Sequence, residues 1–284
     1  MAQFTNQARL SYNDTVTVSN VAVGEIVDAI SVTKTAVRDT YSVNDSITYI
    51  VSVVNSGSVS YSGVSLTDNL GEYQFGDTIL VPLDYADGSI KYFINGILQT
   101  PPEVNSNPFL SVTGISVPAG GNTTIVYEAN INEFAPLNDG GQIVNEVTIL
   151  GGGINAIKAQ ETVNASTGPA LSITKAISPV PVSANGLVTY TFTIRNSGNT
   201  PIVATDNAII SDLFNPILSE LQVSFNGAPW TEGTNYSYNG KTGLFESLEG
   251  QITVPSATYT QDAQTGEWTL TPGISTLVVT GRIS

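Results

Sequence analysis

The feature that most constrains this chain is that it states one alternating pattern twice. ITYIVSVVNSG at residues 47–57 returns as VTYTFTIRNSG at 188–198. At nearly constant offset, ISVTKTAV (30–37) returns as LSITKAI (171–177), which aligns Lys34 with Lys175. SLTDNL (65–70) returns as IISDLF (209–214), aligning Asp68 with Asp212. ISVPAG (115–120) returns as ITVPSA (252–257), and TIVYEANI (124–131) as TLVVTGRI (276–283). Within each copy apolar residues fall on every second position, as in Ile47, Tyr49, Val51 and Val53, which is the period of a half-buried strand. Asn95-Gly96 between two such runs is a hairpin signal. No long stretch keeps a 3.6-residue period, so the fold class is all-β. Copies of this length are domains in tandem, each with its own core.

The second copy is incomplete. In the first, TIVYEANI is followed by QIVNEVTILG (142–151), with Ile143, Val147 and Ile149 on one face. After TLVVTGRI no counterpart follows. The matching element stands at the other end of the chain, as QFTNQARLSY (3–12), where Phe4, Ala8, Leu10 and Tyr12 share a face. Asn145 interrupts one apolar face and Asn6 the other, and the two strands align residue for residue. That register follows from the alternation, since a slip of one residue turns every apolar side chain outward. Both strands run on into a second alternating stretch, so each reads as half of a hairpin, the first turning at Asn13-Asp14. The expected organisation is an arm with a linker over residues 1–29, a first domain over 30–167, and a second domain over 168–284 that lacks its last strand.

Composition removes several functions. The chain has no Cys and no His, which excludes disulfides, thiolate metal sites and His-based triads. A net charge of −15 argues against nucleic acid, whose phosphates need a basic footprint. The N-terminal residues have neither the basic nor the apolar region of a secretory signal, and no apolar run approaches a membrane span, so no membrane insertion is expected. Acidic residues around Asp84 and Asp87-Gly88 match no calcium-loop spacing, and no metal or cofactor is expected.

Three polar residues lie on inward faces of the first domain: Lys34, Asp68 and Asn145. Lys175 and Asp212 lie on the matching faces of the second, and Asn6 is the candidate third. A lysine near a strand end can reach water, and an aspartate before a turn can shape it. What separates these residues from such uses is that they recur together in both copies. A buried charge is costly, so such groups pair, neutralise or react. A desolvated lysine is held as a neutral amine and becomes nucleophilic. A desolvated carboxyl stays protonated and can polarise an amide carbonyl. An asparagine beside both supplies an electrophilic carbon. Attack with loss of ammonia gives a Lys–Asn isopeptide bond without a cofactor.

The pattern TKT…ITYIVSVVNSG…LTDNL…IVNEVTI resembles the bacterial surface repeat known as domain of unknown function eleven. Its Lys–Asp–Asn order is similar to isopeptide-forming collagen-adhesin domains of the CnaA kind. The resemblance implies two Ig-like β-sandwiches, with Lys34 and Lys175 as nucleophiles, Asp68 and Asp212 as proton relays, and Asn145 and Asn6 as acceptors. Asn6 departs from the family order, lying before its lysine in the chain rather than after it. The expected function is then structural rather than enzymatic. The chain would be the subunit of a self-assembling fibre on a bacterial cell or spore surface, its partner another copy of itself, joined head to tail. The arm would enter domain 2 of the neighbour, because its own domain 2 lies beyond the whole first domain and the linker is short. The alternative is a surface adhesin or binding module that uses the loops at a sandwich end.

Overall fold

The computed structural model describes residues 2–26, 29–107 and 109–283. Of the linker expected over 24–29, residues 27 and 28 lie outside the described residues. The structure is almost all β, and the described residues contain no α-helix, only a 3₁₀ turn at Ala204–Asp206. Two compact units result, Met1–Asp39 with Asn44–Asn132 and Ile143–Val163, and Thr40–Val43 with Glu133–Gln142 and Asn164–Ser284.

The first domain is a sandwich of two sheets. One has the strand order Ile97–Gln99, Lys91–Ile94, Asn122–Ile131, Ser46–Asn55, Ile30–Ala36, with Leu83–Tyr85 also against Asn122–Ile131. The other runs Glu103–Asn105, Leu110–Val117, Tyr61–Asp68, Gln142–Gly151, Ile154–Ala165, Thr40–Tyr41. The alternation predicted from sequence is the alternation of burial: Ile47, Tyr49, Val51 and Val53 are sealed from solvent, as are Leu66, Val112, Val147 and Ile149 on the facing sheet. Each such aliphatic side chain stabilises the fold by roughly 1.5–3 kcal/mol on burial, which sets the register of both sheets.

The second domain repeats the first sheet strand for strand: Ala228–Trp230, Leu218–Phe225, Gly273–Ile283, Leu187–Asn196, Leu171–Ser178. The shared Asn-Ser-Gly turns fold identically. Asn55 Nδ2 donates to the carbonyls of Val59 and Pro118, and Asn196 Nδ2 to those of Thr200 and Pro255. The second sheet differs. It holds only Ser211–Leu213, Leu244–Ser247 and Tyr236–Asn239, in that order. These match Tyr61–Asp68, Leu110–Val117 and Glu103–Asn105. Nothing among the described residues corresponds to Gln142–Gly151 and Ile154–Ala165, so one edge of Ser211–Leu213 is open. Both units are Ig-like β-sandwiches, following one another in the chain after an N-terminal hairpin.

That hairpin comprises Ala2–Asn6 against Ala22–Ile26 and Arg9–Tyr12 against Thr15–Val18. It turns at Asn13-Asp14, both with positive φ, as expected. Two details differ from the sequence reading. The first strand is interrupted at Gln7–Ala8, where Gln7 Nε2 bonds the Ser19 carbonyl and the Ala8 amide bonds Ser19 Oγ instead of the ladder. The returning strand also continues to Ile26, past the expected start of the linker. Phe4 lies across from Gly24, where any Cβ would strike its ring. The hairpin buries almost nothing: Phe4, Leu10, Tyr12, Val16, Val18 and Val23 are all exposed.

Candidate functional site

Lys34 comes from the first strand, Ile30–Ala36, and is the buried residue of an otherwise half-exposed strand. Asp68 ends the strand Tyr61–Asp68, directly across from Val147. Asn145 lies two residues before Val147 and points to the same face. The three meet between the sheets. Lys34 is 4% exposed, and Asp68 and Asn145 are fully buried. Lys34 Nζ donates to Asp68 Oδ2 at 2.6 Å. The Leu70 amide donates to Asp68 Oδ1 at 3.0 Å.

Two tyrosines complete the site, and sequence reading did not assign them a role. The Tyr127 hydroxyl donates to Asp68 Oδ2 and accepts from Asn145 Nδ2 at 3.3 Å, so it bridges the carboxylate and the amide nitrogen. Tyr49 stacks on Tyr127 with ring centroids 5.5 Å apart, and Lys34 Nζ lies 4.8 Å from the Tyr49 ring centre. The Tyr49 hydroxyl lies close to the Asn145 amide, and it and Asn145 Oδ1 are both buried with no hydrogen-bond partner of good geometry. The usable signal was that a buried tyrosine needs a polar partner, and these two face the same polar cluster.

Burial lowers the Lys34 amine to about 8, against the opposing pull of the Asp68 carboxylate. Burial, reinforced by Asp68, pushes both tyrosines well above the ordinary phenol range, so each hydroxyl keeps its proton. The arrangement thus sets an amine of reduced basicity, a carboxylate hydrogen-bonded to it, and an amide together, all buried between the two sheets. Chemically this can condense amine with amide.

In the second domain Lys175 and Asp212 also form a hydrogen-bonded ion pair. Lys175 Nζ lies 4.5 Å from the Tyr190 ring centre and 5.3 Å from that of Phe214. The expectation that this pair is buried needs correction. Its side chains are 40% and 18% exposed, against 0% for both Lys34 and Asp68. The reason is the open edge, since the strands that cover Lys34 and Asp68 have no counterpart there. The whole strand Leu171–Ser178 is exposed in consequence, Leu171, Ile173 and Ile177 included. An open hollow of about 190 Å³ lies beside it, lined by Leu171, Ile173, Ile194, Ile210, Ile252 and Val254. Ile210 occupies the place of Leu66, which in the first domain pairs with Ile149. Asn6 is exposed in the hairpin across from Ala22, within the first compact unit.

No protein-family model and no curated protein sequence matches the chain. Solved structures do. The pilus backbone protein of Streptococcus pneumoniae is 11% identical with a TM-score of 0.35, covering 86% of this chain, which spans 55% of that one. A C-terminal fragment of the major pilin of Streptococcus agalactiae is 12% identical with a TM-score of 0.34, over 87% of this chain and 91% of that one. The collagen-binding domain of a Staphylococcus aureus adhesin is 12% identical with a TM-score of 0.31, over 49% and 99%. These are likenesses of fold. No helix among the described residues is long and apolar enough to cross a membrane.

Proposed function

We propose that this chain is the structural subunit of a self-assembling fibre on a bacterial cell or spore surface. The N-terminal hairpin of one copy completes domain 2 of the next. One observation carries this reading: among the described residues domain 2 shows no counterpart of the two strands that cover Lys34 and Asp68 in domain 1, while an exposed hairpin of matching pattern stands free of any core. Strand addition pairs the open edge of Ser211–Leu213 and extends its sheet. In the register of Gln142–Gly151, Ala8 faces Asp212 and Leu10 faces Ile210, filling the hollow that Ile149 fills in domain 1. Asn6 then lies where Asn145 lies. The contact joins unlike surfaces, hairpin to groove, so it propagates rather than closing a symmetric dimer.

Each site then reacts once. Lys34 Nζ gives a proton to Asp68, attacks Cγ of Asn145 and expels ammonia; Lys175, Asp212 and Asn6 do the same between copies. No outside substrate or cofactor takes part, so the chain is not an enzyme in the turnover sense. Removing residues 1–23 leaves two folded domains with nothing to donate. That protein should remain monomeric by sedimentation and electron microscopy where the intact chain elongates. Identical fibres from the truncated protein remove the strand-donation reading.

The reaction also has a pH signature. Below about pH 8 Lys34 holds the proton that must reach the leaving nitrogen, and its hydrogen bond to Asp68 gives that proton a route. Above it, Lys34 has lost that proton to solvent. Crosslinking of freshly folding chain, followed by intact mass, should be level below about pH 8 and fall above it towards tenfold per unit. A rate that climbs through this range shows that neutrality of the amine alone is limiting.

A further inference from the structure

The condensation creates a charge for which the obvious donors are already engaged. The Nζ–Cγ bond forms, the Cγ–Nδ2 bond breaks, and the proton that the amine loses ends on the departing ammonia. Between these events Asn145 Oδ1 carries negative charge at a fully buried position. Such an oxyanion needs a hydrogen-bond donor aimed at it. Asp68 bonds Lys34, Tyr127 and the Leu70 amide. Tyr127 is spent between Asp68 and the amide nitrogen, which is the leaving group rather than the oxygen. What remains is a pair of orphans: Asn145 Oδ1, with no donor, and the fully buried Tyr49 hydroxyl, with no acceptor. Buried polar atoms are seldom left unpaired, and one recognised exception is a group whose partner appears only during reaction.

The second domain separates the two tyrosines. Val279 stands in the place of Tyr127, and the Phe214 ring packs on Tyr190 at 4.8 Å as Tyr127 packs on Tyr49. Tyr190 itself keeps the place of Tyr49, including the lysine over its ring, at 4.5 Å against 4.8 Å. The bridging hydroxyl is therefore dispensable between copies of the fold, and the orphan one is retained.

We propose that the Tyr49 hydroxyl donates to Asn145 Oδ1 as the tetrahedral oxyanion forms, and that Tyr190 does so for an incoming Asn6. This rests on the crosslinking reading above. The role accounts for a hydroxyl that otherwise costs stability, since an unpaired buried donor is a net loss. It also gives both domains the same electrophile activation while their acid networks differ.

The test uses full-length chain purified unfolded and then refolded, with intact mass followed over time. Tyr49→Phe should slow the loss of the domain 1 ammonia by about 10²–10³-fold, the usual effect of removing one oxyanion donor. Tyr190→Phe should slow the growth of detergent-resistant oligomers to a similar degree and leave the domain 1 ammonia loss at its normal rate. In an Asn145→Ala background, which cannot react, Tyr49→Phe should melt no lower than its parent. Ammonia loss at the wild-type rate in Tyr49→Phe overturns the assignment. So does a slowed rate matched by an equal loss of stability in the unreactive background, because ring placement then explains it. Wild-type chain that keeps its full sequence mass overturns the crosslinking reading, and the Tyr49 role with it.

Discussion

Fibres of the intact chain, boiled in detergent, should run as a ladder of oligomers, and either Lys175→Ala or Asn6→Ala should return them to monomer. The expectation comes from comparing the two ion pairs. Lys34 and Asp68 are sealed, whereas Lys175 and Asp212 stand partly open beside an unpaired strand edge. An exposed ion pair of this kind contributes at most about 1 kcal/mol and does not account for a lysine and an aspartate repeated at matching positions. Covering by a strand with asparagine in the right register does account for them. Neither substitution removes an apolar residue that would fill the groove, so assembly itself should survive and only resistance to boiling should vanish. Wild-type fibres that dissolve wholly to monomer leave strand exchange without the bond. Loss of two ammonias without any ladder shows instead that the hairpin closes onto its own domain 2.

Asp68→Ala should leave domain 1 at its full mass and lower its stability by about 3–5 kcal/mol relative to an equally uncrosslinked Asn145→Ala protein. Asp68 receives three donors: the Lys34 amine, the Tyr127 hydroxyl and the Leu70 amide. Without it, desolvation drives the Lys34 amine towards its neutral form against two tyrosine rings, and the amine, the Tyr127 hydroxyl and the Leu70 amide all lose their acceptor. Asn145→Ala keeps the ion pair and removes only the electrophile, so the difference in denaturant midpoint isolates the carboxylate from the crosslink. Equal stabilities would show that Lys34 escapes to water once its partner is gone.

Strict alternation made much of this legible. Ile47 to Val53 could be placed on an inward face because a strand buries every second residue, and repetition then located the two domains. The same rule exposed Lys34, Asp68 and Asn145, which stand where only apolar residues belong. It could not rank Tyr49 and Tyr127, because a tyrosine on an inward face reads as core; the hydroxyl's partners depend on distances across two sheets. Nor did it show the break at Gln7–Ala8. No glycine or proline marks that site, and the cause is a serine on the opposite strand, Ser19, competing for the ladder. The exposure of Lys175 was hidden for a different reason, since the strands that cover the matching Lys34 in domain 1 have no counterpart among the described residues of domain 2.

The hairpin and the open edge of Ser211–Leu213 are different surfaces, and each chain has one of each. On the fibre reading proposed above, a growing polymer has two unlike ends, one showing a free hairpin and the other an empty groove. A fragment holding only domain 2 should then cap the first end, and a peptide of residues 2–26 the second. On that reading length is governed by the ratio of stoppers to intact subunits, and supplying either half of the joint alone ends growth.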